Sequence, residues 1–190
     1  MILSNVEIVN CINKKLFSIT PLDRLDPTSK PFNTSAIDLR LGDEILVPTS
    51  TSPIQFDLRT GSIAKYWNDN SKKYQISDEN PFSLAPNKLI LARTFERVDF
   101  PINGTEISYS ARVEGKSSLA RCGILVHFTA PTIHSGFKGT ITLEIINLGI
   151  HNFLLIPQMS ICQLIIEEVK GCPLDAPNQF SGQSSPAGVV

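Results

Sequence analysis

No two of the four cysteines stand close enough to form a C-x-x-C pair. Cys11, Cys122, Cys162 and Cys172 are scattered along 190 residues, which argues against a disulfide framework or a zinc ribbon and reads as reduced, mostly buried thiols. The N-terminus has no basic start leading into an apolar run and a small-residue cleavage site, so a secretion signal is not expected. Long apolar runs are missing too: the stretch 153–166 is cut by Pro157, Gln158 and Gln163 and is too short to span a bilayer. Charge of one sign is also lacking. Lys and Arg number 17 against 18 Asp and Glu, and the net charge of −1 gives no overall field for nucleic acid or an acidic membrane. The expectation is a cytoplasmic protein that binds neither, with any anion site being local. A chain of this length buries about 70% of its unfolded surface, so it needs no disulfide or structural metal to fold.

Helical periodicity is nearly absent as well. Only the opening segment carries it, with Val6, Val9, Ile12 and Leu16 at three- and four-residue spacings behind Ser4 and Glu7, which fit a capping box. One N-terminal helix is expected. From Ser18 onward, short β-rich runs alternate with clusters of Pro, Gly, Asn and Asp: AIDLRL, EILVP, KLILART, GILVHF, GTITLEIIN, FLLIP and CQLIIEEV. With 13 prolines and 11 glycines, that spacing is the pattern of an all-β barrel or sandwich. Residues 49–80 are polar and turn-rich and read as an excursion outside the core. Residues 1–170 read as one β domain. Residues 171–190, GCPLDAPNQFSGQSSPAGVV, have no periodicity and read as a flexible C-terminal lid segment.

The familiar nucleotide and hydrolase motifs are missing: there is no G-x-x-x-x-G-K-[ST], no G-x-G-x-x-G and no G-x-S-x-G. His127, His134 and His151 share no metal-ligand spacing, and an H-x-E paired with P-C-x-x-C is absent, which excludes a zinc deaminase of the usual kind. His127 reads as a strand-packing residue and Cys122 as a buried thiol.

What remains is concentrated between Arg112 and Asn147. Gly115-Lys116-Ser117-Ser118-Leu119-Ala120-Arg121 puts two hydroxyls, their backbone N–H groups and two cations in seven residues. Such a turn can cradle phosphate oxygens, and it can equally be a solvated turn before a strand. Glu144 lies in TITLEIIN, where alternation sets Ile141, Leu143 and Ile145 on one face and Thr140, Thr142, Glu144 and Ile146 on the other. A carboxylate there is costly without a partner, unless it is an edge-strand residue that blunts aggregation. Arg121 is a candidate partner, although spacing alone does not join the two.

In these segments, and over most of its length, the chain resembles the dCTP deaminases of the trimeric dUTPase-like superfamily. The resemblance runs through Ile19-Thr20-Pro21, Ala36-Ile37-Asp38-Leu39-Arg40-Leu41-Gly42, the stretches 84–86 and 94–101, and 113–121. It continues through Val126-His127-Phe128-Thr129-Ala130 and Gly139 to Glu144. It implies a mainly β subunit, a distorted β-barrel or jelly-roll with one N-terminal helix, in a homotrimer whose active sites form between subunits. It further implies dCTP as substrate, Mg2+ carried with the triphosphate, no protein-bound metal, and dTTP as a candidate inhibitor. By resemblance, Glu144 is the general base that activates water without zinc, and Ser117 and Arg121 complete the catalytic group. Arg121 would hold Glu144 ionised. Lys116 and Ser118 match triphosphate contacts, Ala130 the small residue beside the pyrimidine, and Gln183 the glutamine of the C-terminal lid.

Three features depart from the family pattern. His134 stands where the family has the aspartate that faces the deoxyribose, Gln179 and Phe180 replace the lid lysine and tyrosine, and the stretch between Pro173 and Gln183 is shorter than usual. The loss of the aspartate argues against phosphate-ester hydrolysis. The leading expectation is therefore deamination of dCTP to dUTP and ammonia. The alternatives are a bifunctional enzyme that continues to dUMP and a nucleotide-binding regulator that has lost turnover.

Overall fold

The computed structural model describes residues 1–49, 56–57, 59, 62–102, 104, 107–176 and 181–188. The chain opens with helix α1 (Asn5–Asn13). Ser4 is its N-cap, and the Ser4 hydroxyl accepts the backbone N–H of Glu7 at 3.3 Å, as the capping pattern predicts. The helix buries Ile8, Val9 and Cys11, while Val6 stays 53% exposed.

Strands β1 (Ser18–Thr20), β2 (Phe32–Asn33) and β3 (Ala36–Pro48) follow. The runs AIDLRL and EILVP, expected as separate strands, form the single thirteen-residue β3, whose pairing with its neighbour shifts register between Leu41 and Ile45. Gly42 lies at that irregularity, and a Cβ there would stand 3.0 Å from the Arg93 carbonyl oxygen. Next come helix α2 (Ile63–Asp69) and strands β4 (Ser71–Gln75), β5 (Phe82–Leu84), β6 (Leu89–Asp99) and β7 (Ile107–Gly115). The excursion at 49–80 is thus partly built into the fold: β4 pairs with β3, and Ala64 and Ile76 are buried. The sequence patterning does not flag β7, because its serines, arginine and glutamate dilute the apolar alternation. A short helix α3 (Ser117–Ala120) leads to β8 (Ile124–Leu125), β9 (Thr132–Ile133), β10 (Lys138–Asn147), β11 (Phe153–Leu155) and β12 (Ser160–Lys170).

The fold is mainly β, and its curled sheet forms a half-barrel. The main path runs β8-β10-β6-β3-β12-β7-β9, with β1, β2 and β4 added at its sides, while β5 and β11 make a separate pair. Every pairing among the described strands is antiparallel, and apart from the local β2–β3 hairpin each joins residues far apart in sequence. The inner faces bury Ile37, Leu39, Leu41, Ile90, Leu143, Ile145 and Leu164, and Phe17 packs its ring against Phe100 and Tyr109. Each large aliphatic side chain removed from water in this way contributes about 1.5–3 kcal/mol. A charged pair joins the sheet interior. Glu96, only 1% exposed, accepts from the Arg40 Nε at 2.6 Å and from the Arg40 backbone N–H at 2.8 Å.

The expectation of buried thiols holds for Cys11 and Cys162 but not for Cys122 and Cys172, which are exposed. The Cys122 backbone packs directly against Gly149, and its side chain is left outside. Among the described residues, no helix is long and apolar enough to cross a membrane.

Candidate active site

Strand β10 carries Glu144, and the local sequence accounts for its direction. Ile141, Leu143 and Ile145 face inward and are buried, so the intervening Thr142, Glu144 and Ile146 are turned to the other face and only half-buried. Pairing sets Glu144 directly across from Leu91 of β6, and Leu91 across from Leu46 of β3. The carboxylate therefore ends a row of apolar side chains.

A cleft of about 410 Å³ opens over this row. Its floor includes Leu89, Leu91 and Glu144, and α2 lends Ile63 and Trp67 to one wall. The C-terminal segment 181–188 supplies another wall by docking along the β10 edge. The Thr140 backbone N–H donates to the Gln183 carbonyl at 3.1 Å. The Gln183 Nε2 donates back to the Thr140 carbonyl at 2.8 Å, and the Thr142 hydroxyl donates to the Pro186 carbonyl at 3.2 Å. Ala187 is buried with Leu46 and Leu91, and Trp67 packs against that cluster. Gly139 is required for this approach, because a Cβ there would lie 2.7 Å from the Gln183 carbonyl oxygen.

Burial raises the Glu144 carboxyl above its ordinary value. Its own backbone N–H, the charge of His127 and the Phe128 backbone N–H oppose that rise without cancelling it. A carboxylate with a raised pKa in a water-accessible, largely apolar cleft is suited to taking up and releasing a proton. His127 reaches Glu144 through the β8 register. Leu125 pairs with Ile146 and Ile124 with Asn147, so the residues after Leu125 run back alongside β10 toward Glu144. His127 belongs to no strand and lines the cleft.

The same register places Arg121 away from this carboxylate. Residues before Ile124 continue past the Asn147 end of β10, so Arg121 is exposed at the end of α3, does not line the cleft, and is not among the charges that act on Glu144. The candidate residues thus fall into two groups. Glu144, Ala130, His134 and Gln183 line one cleft, with His134 and Ala130 exposed and Gln183 buried. Ser117, Ser118 and Arg121 are exposed on α3, outside that cleft.

Lys116 belongs to a second cavity of about 450 Å³ that also includes Lys30, Asp38 and Arg40. Its ammonium lies 2.6 Å from the Asp38 carboxylate. Burial alone would raise the Asp38 carboxyl, but hydrogen bonds from Lys116, Asn33 and Lys30 outweigh burial and hold it below the ordinary aspartate value.

Sequence reasoning missed His127, Trp67 and Leu91 as parts of the cleft. Trp67 and Leu91 carry no local signal, because only the long-range pairing of β3, β6 and β10 brings them to Glu144. For His127 the signal was adjacency to Phe128-Thr129-Ala130, which leads directly into the cleft. Gln179 and Phe180 lie outside the described residues. Among the described residues, no three metal-ligating side chains converge.

Residues 2–169 match a family described as dCTP deaminase-like. A dCTP deaminase from Halorubrum lacusprofundi is 33% identical over 171 residues, covering 90% of this chain and 78% of that protein. A dUMP-forming dCTP deaminase from Methanothermobacter thermautotrophicus is 32% identical over 202 residues, covering 97% of this chain and 91% of that one. In three dimensions the chain is similar to the crystal structure of a 2'-deoxycytidine 5'-triphosphate deaminase from Agrobacterium tumefaciens. That match has a TM-score of 0.65 and 16% identity over 88% of this chain. The chain spans 47% of that structure's length, and the likeness concerns the fold.

Proposed function

The chain belongs to the dCTP deaminase-like family, and from that membership we propose that it hydrolyses dCTP at C4 of the cytosine, releasing ammonia and dUTP without zinc. The observation that carries the chemistry is Glu144, a half-buried carboxylate with raised proton affinity over a cleft of about 410 Å³. Glu144 removes a proton from water as its oxygen bonds to C4, and passes that proton to ring N3. The tetrahedral intermediate then expels the 4-amino group as ammonia, with Glu144 shuttling the second proton from the new hydroxyl to the leaving nitrogen. One carboxylate therefore balances both transfers, and such acid–base help contributes about 10²–10⁴ in rate.

The remaining groups come from α3. Ser117 and Arg121 complete the catalytic set, and Lys116 and Ser118 hold the triphosphate. Because one chain keeps α3 apart from the Glu144 cleft, this reading requires a second subunit whose α3 faces the cleft, in keeping with a homotrimer. Fixed donors aimed at developing charge contribute a further 10²–10³ or so. His134 faces the sugar, Ala130 leaves room for the attacking water, and the Gln183 segment closes the cleft over the nucleotide. Mg2+ arrives with the triphosphate and screens its charge, and no step above runs through it. dTTP, with the same triphosphate and a pyrimidine ring, is the expected inhibitor.

A second reading, deamination followed by release of pyrophosphate to give dUMP, is favoured by relatives that are dUMP-forming at 31% and 32% identity. Incubation of the protein with dCTP and Mg2+, with ammonia and product nucleotides followed together, tests both. Ammonia with dUTP supports the first reading, and ammonia with dUMP and pyrophosphate the second. Glu144→Gln is expected to lose ammonia release by at least 10²-fold, and wild-type turnover by that variant would refute the base assignment. Activity that survives exhaustive chelation of zinc supports the metal-free step.

A further inference from the structure

Asp38 is a buried carboxylate for which the deamination step has no use. Its side chain is 7% exposed, and it faces two ammonium groups: Lys116 Nζ at 2.6 Å and Lys30 Nζ at 3.1 Å, both on Oδ2. The Asn33 Nδ2 donates to the other oxygen, Oδ1, at 2.8 Å. Removing a carboxylate from water is costly, and partners on both oxygens offset that cost and fix the direction of the group. Asp38 does not line the Glu144 cleft.

The sheet makes the contact with Lys116. Cys162 of β12 pairs with Leu39 of β3 on one side and with Gly115 of β7 on the other. Asp38 and Lys116 therefore come from strands two places apart, and the lysine reaches its partner across the path of β12. From the same strand, the Gln163 Nε2 donates to the Gly115 carbonyl at 3.2 Å and holds the end of β7 in place. Lys116 is the N-cap residue of α3, but its side chain makes no capping hydrogen bond; it is turned to Asp38 instead. An ammonium carries three donors, and at 20% exposure this one keeps donors for a ligand.

We infer that Asp38 is a positioning residue that acts through Lys116: it holds the lysine across β12 so that the ammonium meets the triphosphate already ordered. The inference rests on the assignment of Lys116 to the triphosphate. Binding then does not have to freeze a long, freely rotating side chain, whose ordering would cost affinity. The negative charge of Asp38 does not oppose the phosphates, because two ammonium groups match it and leave the trio one positive charge in surplus. Without Asp38, Lys30 and Lys116 face each other in one cavity. Like charges separate, and Lys116 loses its fixed place.

The test is made on the full chain with Mg2+ and separates phosphate binding from the rest. It reads kcat and KM for ammonia release from dCTP, together with calorimetric dissociation constants for inorganic triphosphate and for 2'-deoxycytidine, which carries no phosphate. Asp38→Asn is expected to raise KM for dCTP about three- to tenfold, the loss that follows from ordering one long side chain on binding, with kcat within about twofold of wild type. Inorganic triphosphate weakens by the same factor, and 2'-deoxycytidine binds as it does to wild type. Lys116→Met loses at least as much on both phosphate ligands, and Asp38→Asn added to it changes nothing more.

Wild-type KM and triphosphate affinity in Asp38→Asn, an equal loss for 2'-deoxycytidine, a fall in kcat at constant KM, or a loss that adds to that of Lys116→Met overturns the inference. Tighter triphosphate binding by Asp38→Asn overturns it as well, because Asp38 would then compete with the phosphates for the ammonium. Where Asp38→Asn does not fold, Asn33→Ala, which removes the donor to Oδ1, decides: a smaller loss confined to the phosphate ligands supports the inference, and any other result overturns it. Wild-type values in Lys116→Met refute the triphosphate assignment and the inference with it, whereas a loss in Lys116→Met beside an unaffected Asp38→Asn refutes the inference alone.

Discussion

Replacing Gly139 by alanine is expected to unseat the C-terminal segment while leaving the sheet intact. The added Cβ would lie 2.7 Å from the Gln183 carbonyl oxygen and 3.2 Å from the Gln183 backbone nitrogen. Both are backbone atoms, so no rotamer change relieves the contact, and the segment must lift. Overpacking of this kind costs about 1–3 kcal/mol. The hydrogen bonds of the docked segment go with it, among them those from the Thr140 N–H to Gln183, from the Gln183 amide to the Thr140 carbonyl, and from the Thr142 hydroxyl to Pro186. Each has a net worth of about 1 kcal/mol. Even 1–2 kcal/mol lowers the ratio of docked to undocked segment by roughly 5- to 30-fold.

Two probes report directly. Trp67 is the single tryptophan of the chain and packs against the cluster that contains Ala187, so its emission should shift to the red. The Thr140 amide loses its acceptor, so its hydrogen exchange should accelerate by a similar factor. A chain ending at residue 180 should show both changes, and Gly139→Ala added to it should produce no more. An unchanged Trp67 spectrum together with an unchanged Thr140 exchange rate in Gly139→Ala would refute the close-approach argument.

Two further outcomes follow from buried charge. Glu96→Ala strips a 1%-exposed carboxylate from Arg40 and removes the acceptor of the Arg40 backbone N–H. Breaking such a pair costs about 3–5 kcal/mol, and for a chain of this size calorimetry should show a drop in Tm of roughly 10 °C; a melt at the wild-type temperature would contradict it. Glu144 has the opposite sign. Its folded-state pKa is raised, so its contribution to stability is complete below the ordinary value of 4.5 and is lost as pH rises through the raised value. Glu144→Gln should therefore melt above wild type at pH 7, with the two curves converging below about pH 4.5, and a variant less stable at neutral pH would show that the carboxylate is not strained by burial.

The loss of stability expected from an ionised Glu144 at neutral pH fits a group kept for chemistry rather than packing. It also explains why the carboxylate is recognisable in the strand pattern. TITLEIIN alternates cleanly, so a glutamate on its mixed face must be either solvated or used, and the half-buried position over a cleft decides between the two.

The sequence by itself determined the local features. The Ser4 cap, the α1 helix, the alternation that aims Glu144 away from the core, and the mainly β class all rest on contacts within a few residues, where spacing and residue type carry the information. The grouping of Lys116, Ser117, Ser118 and Arg121 in one turn was equally legible. Only the tertiary structure decided which of these groups meet. The register of β8 on β10 sends Arg121 past Asn147 and brings His127 to Glu144, and a pairing between strands some twenty residues apart has no signature in either strand alone. The docking of segment 181–188 was invisible for a related reason. It adds to the β10 edge largely through backbone atoms and a glycine-sized gap, and its apolar contribution comes from the small side chains of Pro186 and Ala187, so the tail reads as unpatterned. Antiparallel pairing distributes the site over residues 63–188, and the energy that joins them comes from long-range backbone hydrogen bonds and burial that no short window contains.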